Sequence, residues 1–155
     1  MTLLARIESA MRDAMRARDE RRTLTLRSAM ALAHNRKIEL GRDLTDDEML
    51  DVLGKGVKTR RESIEIYRNA GREDRAEPEE AEVAILTEFL PEQLSAEEVE
   101  NMARATVAET GAAGPADMGR VMGRLAQQTK GRADGRMVSE IVRRLLTDAA
   151  TEPAP

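Results

Sequence analysis

The sequence predicts an all-α protein, an N-terminal bundle of long helices followed by a small three-helix tail domain. Three observations carry this. Apolar residues recur three and four apart along most of the chain, the spacing of one helix face. Tyr67 and Phe89 are the only aromatic residues, which argues against a large β-sandwich or barrel, whose strands favour aromatic and β-branched side chains. Helix punctuation is regular: S/T-x-x-E capping boxes begin at Thr45 and Ser95, and Gly41, Gly71 and Gly111 stand at helix ends.

The first helix is expected over residues 2–18, with Leu4, Ile7, Met11 and Met15 on one face. A charged connection, Asp19-Glu20-Arg21-Arg22, leads to a second helix that carries Leu26, Met30 and Ala33 and stops near Gly41. Thr45-Asp46-Asp47-Glu48 then opens a third. Its stripe of Met49, Val52, Leu53, Val57, Arg60, Ile64 and Tyr67 stays in phase for about five turns, until Gly71. Pro78 belongs in a first turn, because deeper in a helix it removes a hydrogen bond and clashes with the preceding turn. The fourth helix is therefore expected from Glu77 or Pro78 to Pro91, burying Val83, Leu86 and Leu90 with Ala81, Ile85 and Phe89 beside them.

The domain boundary falls at that proline, giving residues 1–90 and 91–148 and a disordered tail at 149–155. In the second domain, Ser95-Ala96-Glu97-Glu98 caps a helix that Gly111 closes, and Pro115 suits the first position of the next. Met118, Val121, Met122 and Leu125 line one side of that helix, with Arg120, Arg124 and Gln127 on the other. Lys130-Gly131-Arg132-Ala133 forms a turn and Asp134 an N-cap. The last helix turns Met137, Val138, Ile141, Val142 and Leu145 inward, and Arg136, Ser139 and Arg143 outward.

Composition narrows the function classes. The 155-residue chain has no cysteine, which removes disulfides, thiolate metal sites and cysteine nucleophiles and fits a reducing compartment. Arg6 and Glu8 interrupt the N-terminus before a signal peptide could form, and no apolar run approaches membrane-spanning length. A cytoplasmic location with no membrane partner is the expectation. The net charge of -4 hides segregation: residues 73–100 hold eleven acids and one base, whereas residues 118–146 hold seven bases and two acids, a local +5. Residues 1–36 hold eight arginines against four acids, a local +4.

Catalytic constellations are missing from this pattern. His34, the only histidine, has no carboxylate partner near it in sequence and no companion at metal-ligand spacing. The acids from Glu77 to Glu82 lack a calcium-loop spacing and read as a solvated helix N-terminus. Gly54-Lys55-Gly56 and Gly131-Arg132-Ala133-Asp134-Gly135 lack the residue order of a phosphate-binding loop. Gly119 and Gly123, one turn apart, read as a site of close helix packing. No catalytic residue, metal ligand or cofactor is assigned.

The chain resembles the YqeY family, whose C-terminal part is similar to the tail of the B subunit of the tRNA-dependent amidotransferase. The residues that carry the resemblance are Gly71-Arg72-Glu73-Asp74, Leu90-Pro91-Glu92-Gln93-Leu94-Ser95 with Glu97-Glu98, Met118-Gly119-Arg120-Val121-Met122-Gly123 and Lys130-Gly131-Arg132-Ala133-Asp134-Gly135. Near the start, Ala14-Met15-Arg16-Ala17-Arg18-Asp19 and Leu26-Arg27 also match. The resemblance implies a helical bundle joined to a three-helix tail, and a tail that holds tRNA while catalysis lies elsewhere. Gly54 and Gly56 depart from the family's usual helix formers, each at a cost of about 1 kcal/mol against alanine.

A basic helix face is ordinarily a solvated surface. With the resemblance added, the favoured expectation is a non-catalytic tRNA-associated module that grips structured RNA by its backbone through Arg120, Arg124, Lys130, Arg132, Arg136 and Arg143. Because no aromatic residue follows Phe89, stacking on splayed bases is excluded and recognition would run through phosphates and shape. A second reading is a protein adaptor whose acidic middle docks a basic partner, such as an aminoacyl-tRNA synthetase or an amidotransferase component. A third is the carbon-nitrogen ligase activity associated with the family, for which no residue pattern speaks.

Overall fold

Thr2 opens the first helix, α1 (Leu3–Arg16), by accepting the Ala5 N–H on its hydroxyl at 3.1 Å. The Leu3 N–H, which has no partner within the helix, donates to Asp46 Oδ1 at 2.9 Å. This computed structural model describes residues 1–152, and among them it holds seven α-helices, one 3-10 turn and no strand. The chain divides into two compact units, Met1–Pro91 and one that begins at Glu92.

In the first unit, α2 (Glu20–Leu40) starts earlier than its sequence pattern indicates. Asp19 is the N-cap, accepting the Arg22 N–H at 3.0 Å, so Asp19-Glu20-Arg21-Arg22 is a cap and first turn instead of a connection. Local chemistry explains it, since an aspartate cap and an acidic first turn both satisfy a helix N-terminus. Gly41 closes α2 in the left-handed conformation, φ 69°. Both halves of the Thr45/Glu48 capping box form at the start of α3 (Asp46–Asn69).

α4 (Glu73–Thr87) contains Pro78 in its second turn and begins four residues before the earliest expected start. The proline removes one intrahelical bond, the one to the Asp74 carbonyl, and Asp74 is exposed, so water can take that carbonyl. Against that loss stand the full burial of Ala76 and an ion-pair bridge from Arg68 of α3 to Glu73 and Glu80, at 3.1 and 2.8 Å. Glu82 pairs with Arg60 at 2.8 Å. The acids of 77–82 thus lie in the body of α4, and two of them, Glu80 and Glu82, bind α3.

Leu3, Ile7, Leu26, Ala29, Ala33, Met49, Leu53, Val57, Leu86 and Phe89 form this unit's core. Gly56 belongs to the contact between α3 and α4: a Cβ there would stand 3.5 Å from Leu86 Cδ1 and 3.4 Å from Arg60 Nη1, whose guanidinium folds back onto the Gly56 carbonyl at 3.0 Å. Gly54 faces open space.

The second unit comprises α5 (Ala96–Thr110), a 3-10 turn at Pro115–Asp117, α6 (Met118–Thr129) and α7 (Gly135–Thr151). Its core is Val99, Ala103, Val121, Leu125, Val138, Val142, Leu145 and Leu146, contributed by all three helices. Ser95 and Glu98 complete the second capping box. α7 runs on through Thr151, so Ala149–Thr151 are helical where a disordered tail was expected; residues 153–155 lie outside the described residues. Helical hydrogen bonding persists to the end, where the Glu152 N–H reaches the Asp148 carbonyl at 3.2 Å.

Candidate nucleic-acid interface

The basic segment is organised around the turn between α6 and α7. Gly131 takes φ 72° there, a conformation that L side chains adopt rarely. Three hydrogen bonds from the entrance of the unit fix this turn. The Leu94 N–H donates to the Arg132 carbonyl at 2.7 Å, Gln93 Nε2 to the Gly131 carbonyl at 2.8 Å, and Arg132 Nε to the Glu92 carbonyl at 3.2 Å. Inside the turn, the Arg132 and Ala133 N–H groups both donate to the Thr129 carbonyl. The segment Glu92-Gln93-Leu94 and the segment Gly131-Arg132 therefore form one backbone-bonded assembly, and Lys130 and Arg132 are presented from a fixed frame.

All six candidate residues lie in this unit. Arg120 and Arg124 are exposed one turn apart on α6, Lys130 is exposed in the turn, and Arg136 and Arg143 are exposed two turns apart on α7. Arg132 is half-buried by its contact with Glu92. Sequence counting makes these charges nearly unopposed, and the fold corrects that. Arg120 pairs with Asp117 at 3.0 Å, Arg124 approaches Glu109 at 3.9 Å, and Arg136 pairs with Glu140 at 3.2 Å. Asp117 and Glu109 lie outside residues 118–146 in sequence; Asp117 is one helical turn from Arg120, and Glu109 is brought in by the packing of α5 on α6. These pairs are solvent-exposed, and such pairs are worth ~0–1 kcal/mol, so a phosphate can displace the carboxylate at little cost.

Several contributors are not evident from sequence. Arg144 reaches Glu100 of α5 at 2.7 Å, a carboxylate that also takes Arg104 at 2.7 Å. The two guanidinium groups hold the Glu100 carboxyl below the ordinary range, with Arg104 contributing most. Asp117 is likewise lowered, chiefly by the Ala113 N–H and also by Arg120. The Glu98 carboxyl is lowered by its capping bonds to Ser95 and by the nearby charge of Arg132. The i,i+3 spacing of Asp117 and Arg120 is a signal that sequence offers; the 44-residue separation of Glu100 and Arg144 gives none.

Gly119 and Gly123 are both exposed, and a Cβ at either would meet no atom within 4 Å. They are not a helix-packing seam, because the core side of α6 is taken by Val121 and Leu125. His34 is exposed on α2. Among the described residues no group of three or more His, Cys, Asp or Glu side chains is placed to hold a metal ion. No helix among them is long and apolar enough to cross a membrane.

Fold and site together define a two-unit helical protein whose second unit carries cationic side chains around a clamped interhelical turn. The chain belongs to the YqeY family: that family's sequence model, described as Yqey-like protein, matches residues 4–146. The family is related to the C-terminal domain of the amidotransferase B subunit. The chain is 29% identical over 147 residues to Altered inheritance of mitochondria protein 41, mitochondrial, of Pyrenophora tritici-repentis, covering 93% of this chain and 81% of that one. With the protein of the same name from Lachancea thermotolerans it shares 31% identity over 98 residues, 63% of this chain and 52% of that one. With the one from Eremothecium gossypii it shares 32% over 89 residues, 56% and 48% respectively. It thus spans most of the first relative and about half the length of the other two.

Proposed function

We propose that this protein is a non-catalytic module that binds structured RNA, with tRNA as the favoured class, through the second unit. The observation that supports the reading is the clamped turn. Lys130 and Arg132 stand on a backbone fixed by Glu92, Gln93 and Leu94, so little ordering entropy is lost when they meet phosphates. Arg120, Arg124, Arg136 and Arg143 extend the cationic surface along the two flanking helices. Kinship with the amidotransferase tail supplies the class of ligand.

Binding at low salt of labelled tRNA, and of single-stranded oligouridylate with the same number of phosphates, tests this. Because the second unit has no aromatic side chain on which to stack bases, tRNA should bind about tenfold more tightly. Equal affinity, or no binding of tRNA, counts against the proposal. The adaptor reading through the acidic middle has less support, since Glu82 and Glu100, with side chains only 31% and 29% exposed, are held by arginines of this chain. The ligase reading finds no constellation to support it. A cytoplasmic site of action belongs to the same proposal.

A further inference from the structure

Apolar side chains collect on the first unit where its core does not need them. Four exposed large apolar residues lie at the end of α1 and along α2: Met15 (50% exposed), Leu24 (52%), Leu32 (47%) and Ile38 (66%). The core side of α2 is already supplied by Leu26, Ala29 and Ala33. Leu24, Ala31 and Ile38 recur every seven residues on the opposite side, spanning about 21 Å at the helical rise, with Leu32 at the flank. A helix with apolar residues on two opposite faces is built for a neighbour on each. Only one of those neighbours is the core of this unit.

Met15 and Leu24 also border an open concavity of about 480 Å³, together with Arg18, Glu20, Thr23 and Arg27. Two arginines and one glutamate are among its lining residues, and Arg21 stands nearby in the first turn of α2. Arg18, Arg21 and Arg27 are exposed and have no ion-pair partner among the described residues. Neighbouring Arg16, Arg22 and Arg36 do have partners, in Asp13, Glu88 and Glu39. Three of the arginines behind the local +4 of residues 1–36 thus stand beside the apolar stripe.

Methionine and arginine around apolar anchors are what protein interfaces enrich. A phosphate backbone would use the arginines but gain nothing from Leu24, Leu32 and Ile38. We propose that the outer face of α2, with Met15 of α1, docks an amphipathic helix of a partner protein. That helix would carry Leu-type side chains along one stripe, to lie on Leu24, Ala31 and Ile38, and Asp or Glu along its flanks, to meet Arg18, Arg21 and Arg27. The contact is of the helix-in-groove kind. It is independent of RNA binding by the second unit.

The test uses the full chain and a synthetic helical peptide of about 18 residues, with Leu at three-and-four spacing and Glu on both flanks. Fluorescence anisotropy should show binding that weakens with salt. Leu24→Ser with Ile38→Ser, and separately Arg21→Glu with Arg27→Glu, should each weaken it about tenfold, with circular dichroism unchanged because all four residues are exposed. No binding of the peptide at low salt overturns the proposal, as does equal binding of a peptide carrying Lys in place of Glu, or unchanged affinity in both variants. Two further outcomes also overturn it. Binding of the same face to phosphatidylcholine vesicles containing phosphatidylserine, without the peptide, makes the occupant a membrane; a dimer abolished by Leu24→Ser with Ile38→Ser makes it a second copy of this chain.

Discussion

Arg132 donates from Nε to the carbonyl oxygen of Glu92 at 3.2 Å, across 40 residues of chain, and so joins the two segments that most distinguish this sequence. Glu92-Gln93-Leu94 enters the second unit, and Lys130-Gly131-Arg132 is its basic turn. The Leu94 N–H and the Gln93 amide complete the attachment by taking the Arg132 and Gly131 carbonyls. A turn that the sequence indicates by Gly131 and its basic neighbours is in this way tied to the entry segment by three hydrogen bonds.

Gln93→Ala should loosen that attachment. Removing one neutral hydrogen bond to a backbone carbonyl costs about 1 kcal/mol, measurable as a lower urea midpoint with an unchanged slope. Hydrogen exchange at the Leu94 amide should accelerate. An unaltered midpoint and exchange rate would mean that the turn is self-supporting.

Arg60 and Glu82 join α3 to α4 with side chains only 16% and 31% exposed. Arg60→Ala leaves Glu82 without its cation and removes the guanidinium bond that the Gly56 carbonyl accepts besides its helical one, and should destabilise the chain by about 1–3 kcal/mol. In a double-mutant cycle, Glu82→Gln should recover part of that loss.

The two glycines of α3 should respond oppositely. Gly54→Ala enters open space and should stabilise by about 0.5–1 kcal/mol through helix propensity. Gly56→Leu must displace Leu86 and Arg60, which stand 3.5 and 3.4 Å from its Cβ position, and should destabilise. Thermal melts of the two variants decide the matter.

The α3 capping box should weaken in acid. Hydrogen bonds from Arg42, then the Thr45 N–H, lower the Glu48 carboxyl from its ordinary 4.5 to about 2. A carboxyl depressed on folding contributes stability that is fully present above its unfolded value and lost as pH falls through the folded one. The melting temperature of the wild type should therefore fall between pH 4.5 and about 2 by more than that of Glu48→Gln.

Much of the fold is legible in the sequence, because helix ends are set by nearby residues. Thr45, Ser95, Asp134, Gly41 and Gly111 act within a few positions of themselves and stand where their types indicate. The start of α4 is not legible in that way. The single bond lost at Pro78 is outweighed by burial of Ala76 and by Arg68, whose part depends on α3 and α4 lying side by side. The candidate site divides similarly: the identities of its arginines and the i,i+3 partner Asp117 can be read from sequence, but the partner Glu109 and the Glu100–Arg144 pair follow from packing. The open surroundings of Gly119 and Gly123 likewise depend on which side of α6 the core takes.

The salt dependence of tRNA binding tests the central proposal most directly. Each phosphate contact adds about 0.7–0.9 to the slope of log K against log salt, so replacing Arg120, Arg124 and Arg143 together by alanine should lower the slope by about two. These three exposed residues lie outside the core, so the fold should be retained. A slope unchanged in the triple variant, or an affinity insensitive to salt in the wild type, would contradict an RNA-binding role for the second unit.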